Sequence, residues 1–358
     1  GLLCDEIHLS HAVLSRRASQ PSRTVRWGRP HHQSENGTTV DEPTPQSSAP
    51  EVITHHDVDA YRDALASWDM HAVPLGRGTF RLSWVVRELP DVSLVRYVTA
   101  TSLREAYVKE PGSTAFVLVL PGADEPFRVR GQELEHGTLT LLQPGAEYEV
   151  MSPARGEALE VYVPDELVAR LGLDRWLDPD VVNVRPDAAP AAQLAARVAP
   201  MVTEGRELSF HPAAERAAIL ETLAASLDSV DPSAAPVPTV RLHAIYRRAI
   251  VSIESDPDPM LTVVELAARL GVATRTLRYA FRYALGISPY PYMLRRRLTW
   301  VREALLDTSR PERTVLSLLL AYGITHQGEF AGQYRRLFGE TPSQTRAAAL
   351  GRRRDRPG

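Results

Sequence analysis

Residues 261–285, LTVVELAARLGVATRTLRYAFRYAL, read as a helix, a tight turn and a second helix loaded with arginine. Apolar spacing at Val264, Leu266, Ala267 and Leu270 predicts the first helix, and Gly271 ends it, because glycine accepts the left-handed conformation that closes a helix. Thr274 is placed to cap the second helix through its hydroxyl. Ala267, Gly271 and Leu277 stand at helix-turn-helix spacing: a small residue where two helices touch, a glycine in the turn, an apolar residue seating the second helix. Leu277, Phe281 and Leu285 make the buried stripe of that helix, so Arg275, Arg278, Tyr279 and Arg282 point outward. An outward row of arginine and tyrosine suits a DNA major groove.

The same chemistry recurs downstream. A helix over 241–255, apolar at Leu242, Ile245, Ile250 and Ile253, precedes the first unit, and a long helix from Pro291 to Asp307 follows it. Val315–Tyr322 is then a helix, Gly323 a turn, and His326–Phe338 a second candidate reading helix, closed by Gly339 and TPSQTR (341–346). A linking helix of some 17 residues is about 25 Å long. With its flanking helices it sets two reading heads for major-groove segments one turn of DNA, about 34 Å, apart.

Two such units on one long helix, with the closing phrase YRRLFGETPSQTR (334–346), resemble the AraC/XylS family of bacterial transcription regulators over roughly residues 241–347. The resemblance implies a partner in double-stranded DNA, read in sequence, and RNA polymerase as a further partner if the protein activates. It places Arg275, Arg278 and Tyr279 at base-facing positions, and arginine paired to guanine O6 and N7 is worth about 1 to 3 kcal/mol of discrimination. Thr274 and Arg282 then meet phosphate. Arg295, Arg296 and Arg297 form a basic run on the linking helix that reads equally as a solvated face paired to residues such as Glu303. The second unit departs from the family pattern: Leu319 stands where a small alanine is usual, Glu329 where many relatives are basic or neutral, and Gly328 and Gly332 carry no side chains to read with. His326 and Gln327 are left as its base readers, with Arg335 and Arg336 on the backbone, so this unit is expected to bind more weakly.

Charge supports this division of labour. The net charge of the chain is −3, but residues 240–358 carry 20 arginines against 10 acidic residues, a net +10, which leaves −13 for the remainder. A basic module on an acidic remainder is the electrostatic footprint of nucleic-acid binding. Cys4 is the single cysteine, so neither a disulfide framework nor a thiolate metal site is available, and a reducing cytoplasm is the expected setting. The sequence offers no membrane-spanning run. Lys109 is the only lysine among 41 basic residues, a hint of a high-GC bacterial genome.

Residues 1–50 are rich in Ser, Arg, His and Pro and lack periodicity, which predicts a disordered segment; Val40 is a candidate non-standard start, with 1–39 a non-native leader. From about 78 to 163, short alternating runs such as TAFVLVLPG (114–122), TLTLLQPG (138–145) and EALEVYVP (157–164) read as antiparallel strands of a small barrel. Phe116, Leu118, Leu141 and Tyr148 are its inward candidates. Amphipathic helices over 189–205 and 211–229 follow, with Leu194, Val198 and Val202 on one and Ala217, Leu220, Leu223 and Leu227 on the other. Their stripes exceed what a small barrel needs covered, which predicts a homodimer through this pair. The Pro/Ala stretch DPSAAPVPTV (231–240) is a linker.

The expected fold is therefore α+β: an N-terminal antiparallel β-barrel, cupin-like by architecture, with a helix pair, then an all-α C-terminal domain. The expected boundaries are a leader over 1–50, an effector domain over 51–185, a dimerisation pair over 186–230, a linker over 231–240, the DNA-binding domain over 241–347 and a basic tail over 348–358. A metal-dependent cupin-type enzyme carrying a DNA-binding tail is the alternative. His136 is the only histidine in the barrel segment, and His55, His56 and His211 read as surface residues, short of the three ligands a mononuclear site needs. No nucleophile elbow or nucleotide loop occurs. The reading is accordingly a non-enzymatic, cytoplasmic regulator with no cofactor and a small-molecule effector in an apolar pocket.

Overall fold

The computed structural model describes residues 46–354, apart from 66–67, 69, 77, 178–181, 232–240, 256–260 and 325. Most of the expected leader, Val40 included, all but the first residue of the expected linker, and the last four residues of the basic tail lie outside the described residues. The chain divides into two compact units between Pro238 and Thr239.

The N-terminal unit is built on two antiparallel sheets. Strands β2 (Glu51–His55), β4 (Leu82–Leu89), β5 (Val92–Thr99), β7 (Ser113–Val119), β10 (Leu139–Leu142), β12 (Gly156–Pro164) and β13 (Asn183–Val184) form one, in the order β13-β10-β7-β12-β5-β4-β2. Strands β3 (His71–Pro74), β6 (Leu103–Val108), β8 (Arg128–Val129), β9 (Gln132–Glu133) and β11 (Glu147–Ser152) form the other, in the order β3-β6-β11-β8-β9. No strand pair among the described residues joins them, so the expected barrel is open, two sheets facing each other across a cavity. The strands also begin earlier than the alternation near residue 78. β1 (Gln46–Ser48), inside the expected leader, pairs with β14 (Leu208–Phe210), since a backbone ladder needs no apolar period.

Helix α1 (Val58–Ala64) lies among the early strands, and α2 (Asp165–Arg170) follows β12 directly. Helices α3 (Ala188–Met201) and α4 (Pro212–Asp228) are the expected pair, and they cover the outer face of the seven-stranded sheet. Leu194, Val198, Leu220, Leu223 and Leu227 are buried in one cluster with Leu94, Phe116, Leu118, Leu141, Leu159 and Val161. Two expectations change here. The apolar stripes that argued for a dimer are used within the chain, and Ala217, counted in that stripe, is exposed. Phe116, Leu118 and Leu141 face the helices, so the interior is lined by the alternate register, Val117, Val119, Thr140 and Leu142. Strand period is two, so misjudging which face is inside moves every residue at once. Arg87, buried on the helix-covered side, donates from Nε to the Met201 carbonyl at 2.6 Å and so satisfies an end carbonyl of α3.

Among the described residues the C-terminal unit is all helical: α5 (Arg241–Ser255), α6 (Val263–Arg269), α7 (Thr274–Leu285), α8 (Pro289–Leu306), α9 (Val315–Ala321), α10 (Gln327–Phe338) and α11 (Pro342–Arg354). The expected tail is helical through Arg354, continuing the helix that TPSQTR begins.

Candidate nucleic-acid interface and interior cavity

Both turns of the C-terminal unit are closed by the same bonds. In the first, Gly271 has φ 65 and donates to the Ala268 carbonyl, while Val272 donates to the Ala267 carbonyl, both at 3.0 Å. In the second, Gly323 has φ 68 and donates to Leu320, while Ile324 donates to Leu319, again at 3.0 Å. Glycine takes this left-handed position without the side-chain clash any other residue meets. Thr262 starts α6 with a reciprocal capping box to Glu265, and Thr314 starts α9 by accepting from the Ser317 amide at 3.1 Å. Thr274 does not cap α7: the N-cap is Ala273, and Thr274 is the first helical residue. Val264, placed on the buried stripe from sequence, is 66% exposed, so Leu266, Ala267 and Leu270 alone seat α6.

On α7, Leu277, Phe281 and Leu285 are buried and Arg275, Arg278, Tyr279 and Arg282 are exposed. Phe281 is gripped edge-on by Tyr246 of α5, with ring centroids 5.2 Å apart, and lies 5.7 Å from Tyr292 of α8. Arg275 donates to the Tyr279 hydroxyl at 2.9 and 3.2 Å, with its guanidinium 5.4 Å from that ring. Arg278 and Arg282 make no ion pair among the described residues. Thr274 is half-buried at the start of the helix. On α10, His326, Gln327, Arg335 and Arg336 are exposed, and Glu329 accepts from the Gln333 amide at 3.1 Å. That bond occupies one oxygen of the carboxylate and leaves its charge facing solvent.

The arginines of the linking helix have a different task. Arg296 is 5% exposed and donates to both oxygens of Glu254 on α5 at 2.7 to 3.0 Å, stacks 4.9 Å from the Trp300 ring, and lies 3.6 Å from Glu303. It fastens α8 to α5. Arg302 similarly reaches Glu340 at 2.7 Å, and Arg346 donates to the carbonyls of Leu305, Asp307 and Arg310 at 3.0, 2.6 and 2.8 Å. The phrase at 334–346 is therefore a structural clasp: Glu340, Thr345 and Arg346 tie α10 and α11 to the end of α8. Burying three guanidiniums requires each to be hydrogen-bonded, which fixes the geometry on either side of α8.

The N-terminal unit holds a cavity between its two sheets, with about 730 Å³ free of protein atoms, mouth included. Its walls are aromatic and aliphatic, among them Trp68, Trp84, Tyr97, Tyr107, Phe127 and Tyr162, with Glu105 and Glu160 set into them. Glu105 on β6 accepts from the hydroxyls of Tyr61, Tyr97 and Ser152, the last two at 3.2 Å. Burial still raises its pKa, against the three hydroxyls that favour its charged form. Burial lifts Glu160 on β12 to about 7, opposed by a 2.7 Å hydrogen bond from the Tyr162 hydroxyl. Lys109, 1% exposed, is pulled down to about 8 by burial; its Nζ donates to the Glu110 and Ser113 carbonyls and to Ser113 Oγ at 3.0 to 3.2 Å, and lies over the Trp68 and Tyr162 rings. Sequence reasoning missed both acids, because a Glu in a strand ordinarily faces solvent.

The histidines resolve individually. His55 is buried at 8% exposure, its ring 4.7 Å from Trp84 and 5.5 Å from Tyr61, so it is a core residue and not the surface residue expected; burial lowers its pKa. His56, His136 and His211 are exposed. Among the described residues no three His, Cys, Asp or Glu side chains converge as metal ligands, and no helix is long and apolar enough to cross a membrane.

Comparison with known proteins concentrates on the C-terminal unit. Residues 266–348 match the family model of a helix-turn-helix domain. Over 108 residues the chain is 37% identical to the regulatory protein HrpB of Ralstonia nicotianae, covering 30% of this chain and 23% of that one. Over 100 residues it is 33% identical to the XylDLEGF operon transcriptional activator of Pseudomonas putida, covering 28% of this chain and 31% of the relative. The chain thus spans less than a third of either curated relative's length. A crystal structure described as a probable AraC family transcriptional regulator from Rhodopseudomonas palustris is 32% identical, covering 30% of this chain and 97% of that one, with a TM-score of 0.28.

Proposed function

From a C-terminal unit that belongs to the AraC/XylS family, we propose that this chain is a sequence-specific DNA-binding transcription regulator whose N-terminal unit binds a small-molecule effector without turnover. The observation that carries the reading is α7 itself: a helix seated by Phe281 and Leu277 that leaves Arg278 and Arg282 exposed and without internal counter-charge. A guanidinium held out on a rigid helix, with its donors unspent, is what base and phosphate recognition requires. Arg278 reads a base, with Arg275 and Tyr279 beside it as a stacked pair, and Arg282 and Thr274 meet phosphate. On α10, His326 and Gln327 read and Arg335 and Arg336 hold the backbone. Glu329 keeps this second head the weaker one, since an exposed carboxylate repels phosphate.

Homodimerisation stays part of the proposal, now through the outward faces of α3 and α4, where Ala192, Ala196, Ala217 and Ala225 are exposed. RNA polymerase is the further partner of an activator, and the cytoplasm the working compartment. A titration of the full chain against its mapped genomic site tests the proposal. If each subunit covers several phosphates, affinity falls by roughly 0.9 log units per phosphate for each log of salt. A flat salt dependence overturns it.

A further inference from the structure

We propose that the cavity of the N-terminal unit takes a small hydrophobic organic cation, an alkyl- or aryl-ammonium compound, with its charge against Glu160 among the rings of Tyr97, Tyr107 and Tyr162. The proposal rests on the effector reading above and gives the effector its chemical class. Glu160 lies on β12 between Ala158 and Tyr162, on the face turned to the cavity. One of its oxygens accepts from the Tyr162 hydroxyl at 2.7 Å, while the other has no protein donor among the described residues. Its side chain keeps accessible surface although it stands between two sheets, and that surface is cavity surface. Glu105 plays another part: three hydroxyls occupy its oxygens, so it is fixed as a piece of the wall.

The remaining chemistry selects among occupants. Among the described residues no arginine, lysine or histidine lines the cavity. The nearby cation, Lys109, has its Nζ committed to two carbonyls and a hydroxyl. An anion entering here meets two carboxyl groups, and the nearby charge of Lys109 already acts on Glu160 while its donors are spent on neutral acceptors. A neutral hydrocarbon leaves the second oxygen of Glu160 buried without a donor, which carries a desolvation cost. An ammonium group supplies the missing charge, and the faces of the surrounding tyrosines attract it as well, while its apolar body fills the wall formed by Val117, Val119 and Leu142.

The groups facing Glu160 set the pH response. They are Tyr97 from β5, Glu105 and Tyr107 from β6, Lys109 just beyond β6, and Tyr162 from its own strand, with Tyr61 of α1 and the buried His55 of β2 further off against Trp84. Burial pushes the phenols of Tyr97, Tyr107 and Tyr162 well above their ordinary value, so they stay protonated, and Lys109 remains mostly charged below about 8. Glu160 therefore titrates near neutrality, at about 7. A bound cation favours its ionised form, so binding below neutrality expels a proton. Affinity then rises with pH, by up to about tenfold per unit, and levels off above Glu160's own pKa.

The test uses the full chain and four probes: benzyltrimethylammonium, phenethylamine, 2-phenylethanol and phenylacetate. Calorimetry and the fluorescence of Trp68 and Trp84 in the cavity wall report binding. At a pH of about 8 both cations are expected to bind at least about tenfold more tightly than the alcohol or the acid, a difference of 1.4 kcal/mol or more. Benzyltrimethylammonium, which cannot itself titrate, is expected to weaken as pH falls and to release protons in buffers of different ionisation enthalpy. Glu160→Gln is expected to remove the cation preference and the pH dependence. Tighter binding of the alcohol or acid, a cation affinity that is flat or rises as pH falls, or no cation binding at about 10 mM overturns the proposal. The wild-type pH profile decides the matter even if the variant fails to fold. A parallel DNA titration with each probe separates the two claims: cation binding without a change in DNA affinity retains the ligand class and removes the effector reading, and a DNA response to the alcohol or acid alone does the reverse.

Discussion

Replacing Glu160 by glutamine should stabilise the N-terminal unit, and by an amount that depends on pH. In the folded chain burial holds this carboxyl at about 7, against an ordinary value of 4.5. The folded state therefore keeps a proton that the unfolded state has released, and stability falls as pH rises from about 4.5 to about 7. Holding the proton from 4.5 up to about 7 corresponds to roughly 3 kcal/mol of lost stability above pH 7, absent below pH 4.5. Glutamine keeps the shape and can still accept from the Tyr162 hydroxyl, but it has no charge to desolvate. Urea denaturation of the full chain at pH 5, 6, 7 and 8, wild type beside Glu160→Gln, measures the difference. His55 acts in the opposite sense, because burial lowers its pKa and stability is lost as pH falls through its ordinary value of 6.5; it is common to both proteins and cancels. A difference that stays constant from pH 5 to pH 8, or that shrinks as pH rises, would falsify the burial that holds this carboxyl at about 7.

Arg278→Ala should cost about 1 to 3 kcal/mol on the cognate site and relax preference at one base pair, while Arg335→Ala weakens all sequences alike; equal losses on specific and random DNA from both changes would show the roles to be wrong. Glu254→Ala strands the buried Arg296 and should destabilise the C-terminal unit by about 2 kcal/mol, below the 3 to 5 kcal/mol of a fully orphaned charge because Glu303 stays within 3.6 Å; thermal denaturation with no measurable loss would count against Arg296 as the fastening of α8 to α5. Gly271→Ala forces a side chain into a backbone at φ 65 and should cost about 1 kcal/mol, with a matching loss of DNA affinity as α7 shifts; unchanged stability would refute the turn assignment.

The helix-turn-helix units were legible because their determinants are local. Gly271 and Gly323 mark the turns, Leu277 and Phe281 mark a seam of helical period, and the arginines opposite that seam have nowhere to go but outward. Periodicity also held the role of Arg296, in retrospect: Tyr292, Met293 and Thr299 lie one turn away on the buried side of α8, whereas reading RRR as a unit hid it. The cavity was not legible for a different reason. On β12, Leu159, Val161 and Val163 pack under α3 and α4, and Ala158 and Tyr162 line the cavity, so both faces of the strand are apolar and alternation alone cannot tell inside from outside. The usable signal was Glu160, the one charged side chain on the face it shares with Ala158 and Tyr162, in the middle of the strand where that face packs over the cavity.

That double-sided strand also joins the cavity to the helix pair within the N-terminal unit. Glu160 and Tyr162 touch the cavity, and Leu159, Val161 and Val163 on the same strand are packed in one cluster with Leu194, Val198, Leu223 and Leu227 of the helix pair. Interiors packed to crystal density do not absorb a displacement; they pass it on or change partners. A group entering against Glu160 therefore presses, through one layer of backbone, on the two helices that precede the second unit in the chain. The ligand can bias that arrangement only by the difference in its affinity for two arrangements, not by binding tightly to both. Glu160 is where such a difference can arise, because burial makes its charge costly and a cation against it compensates that charge.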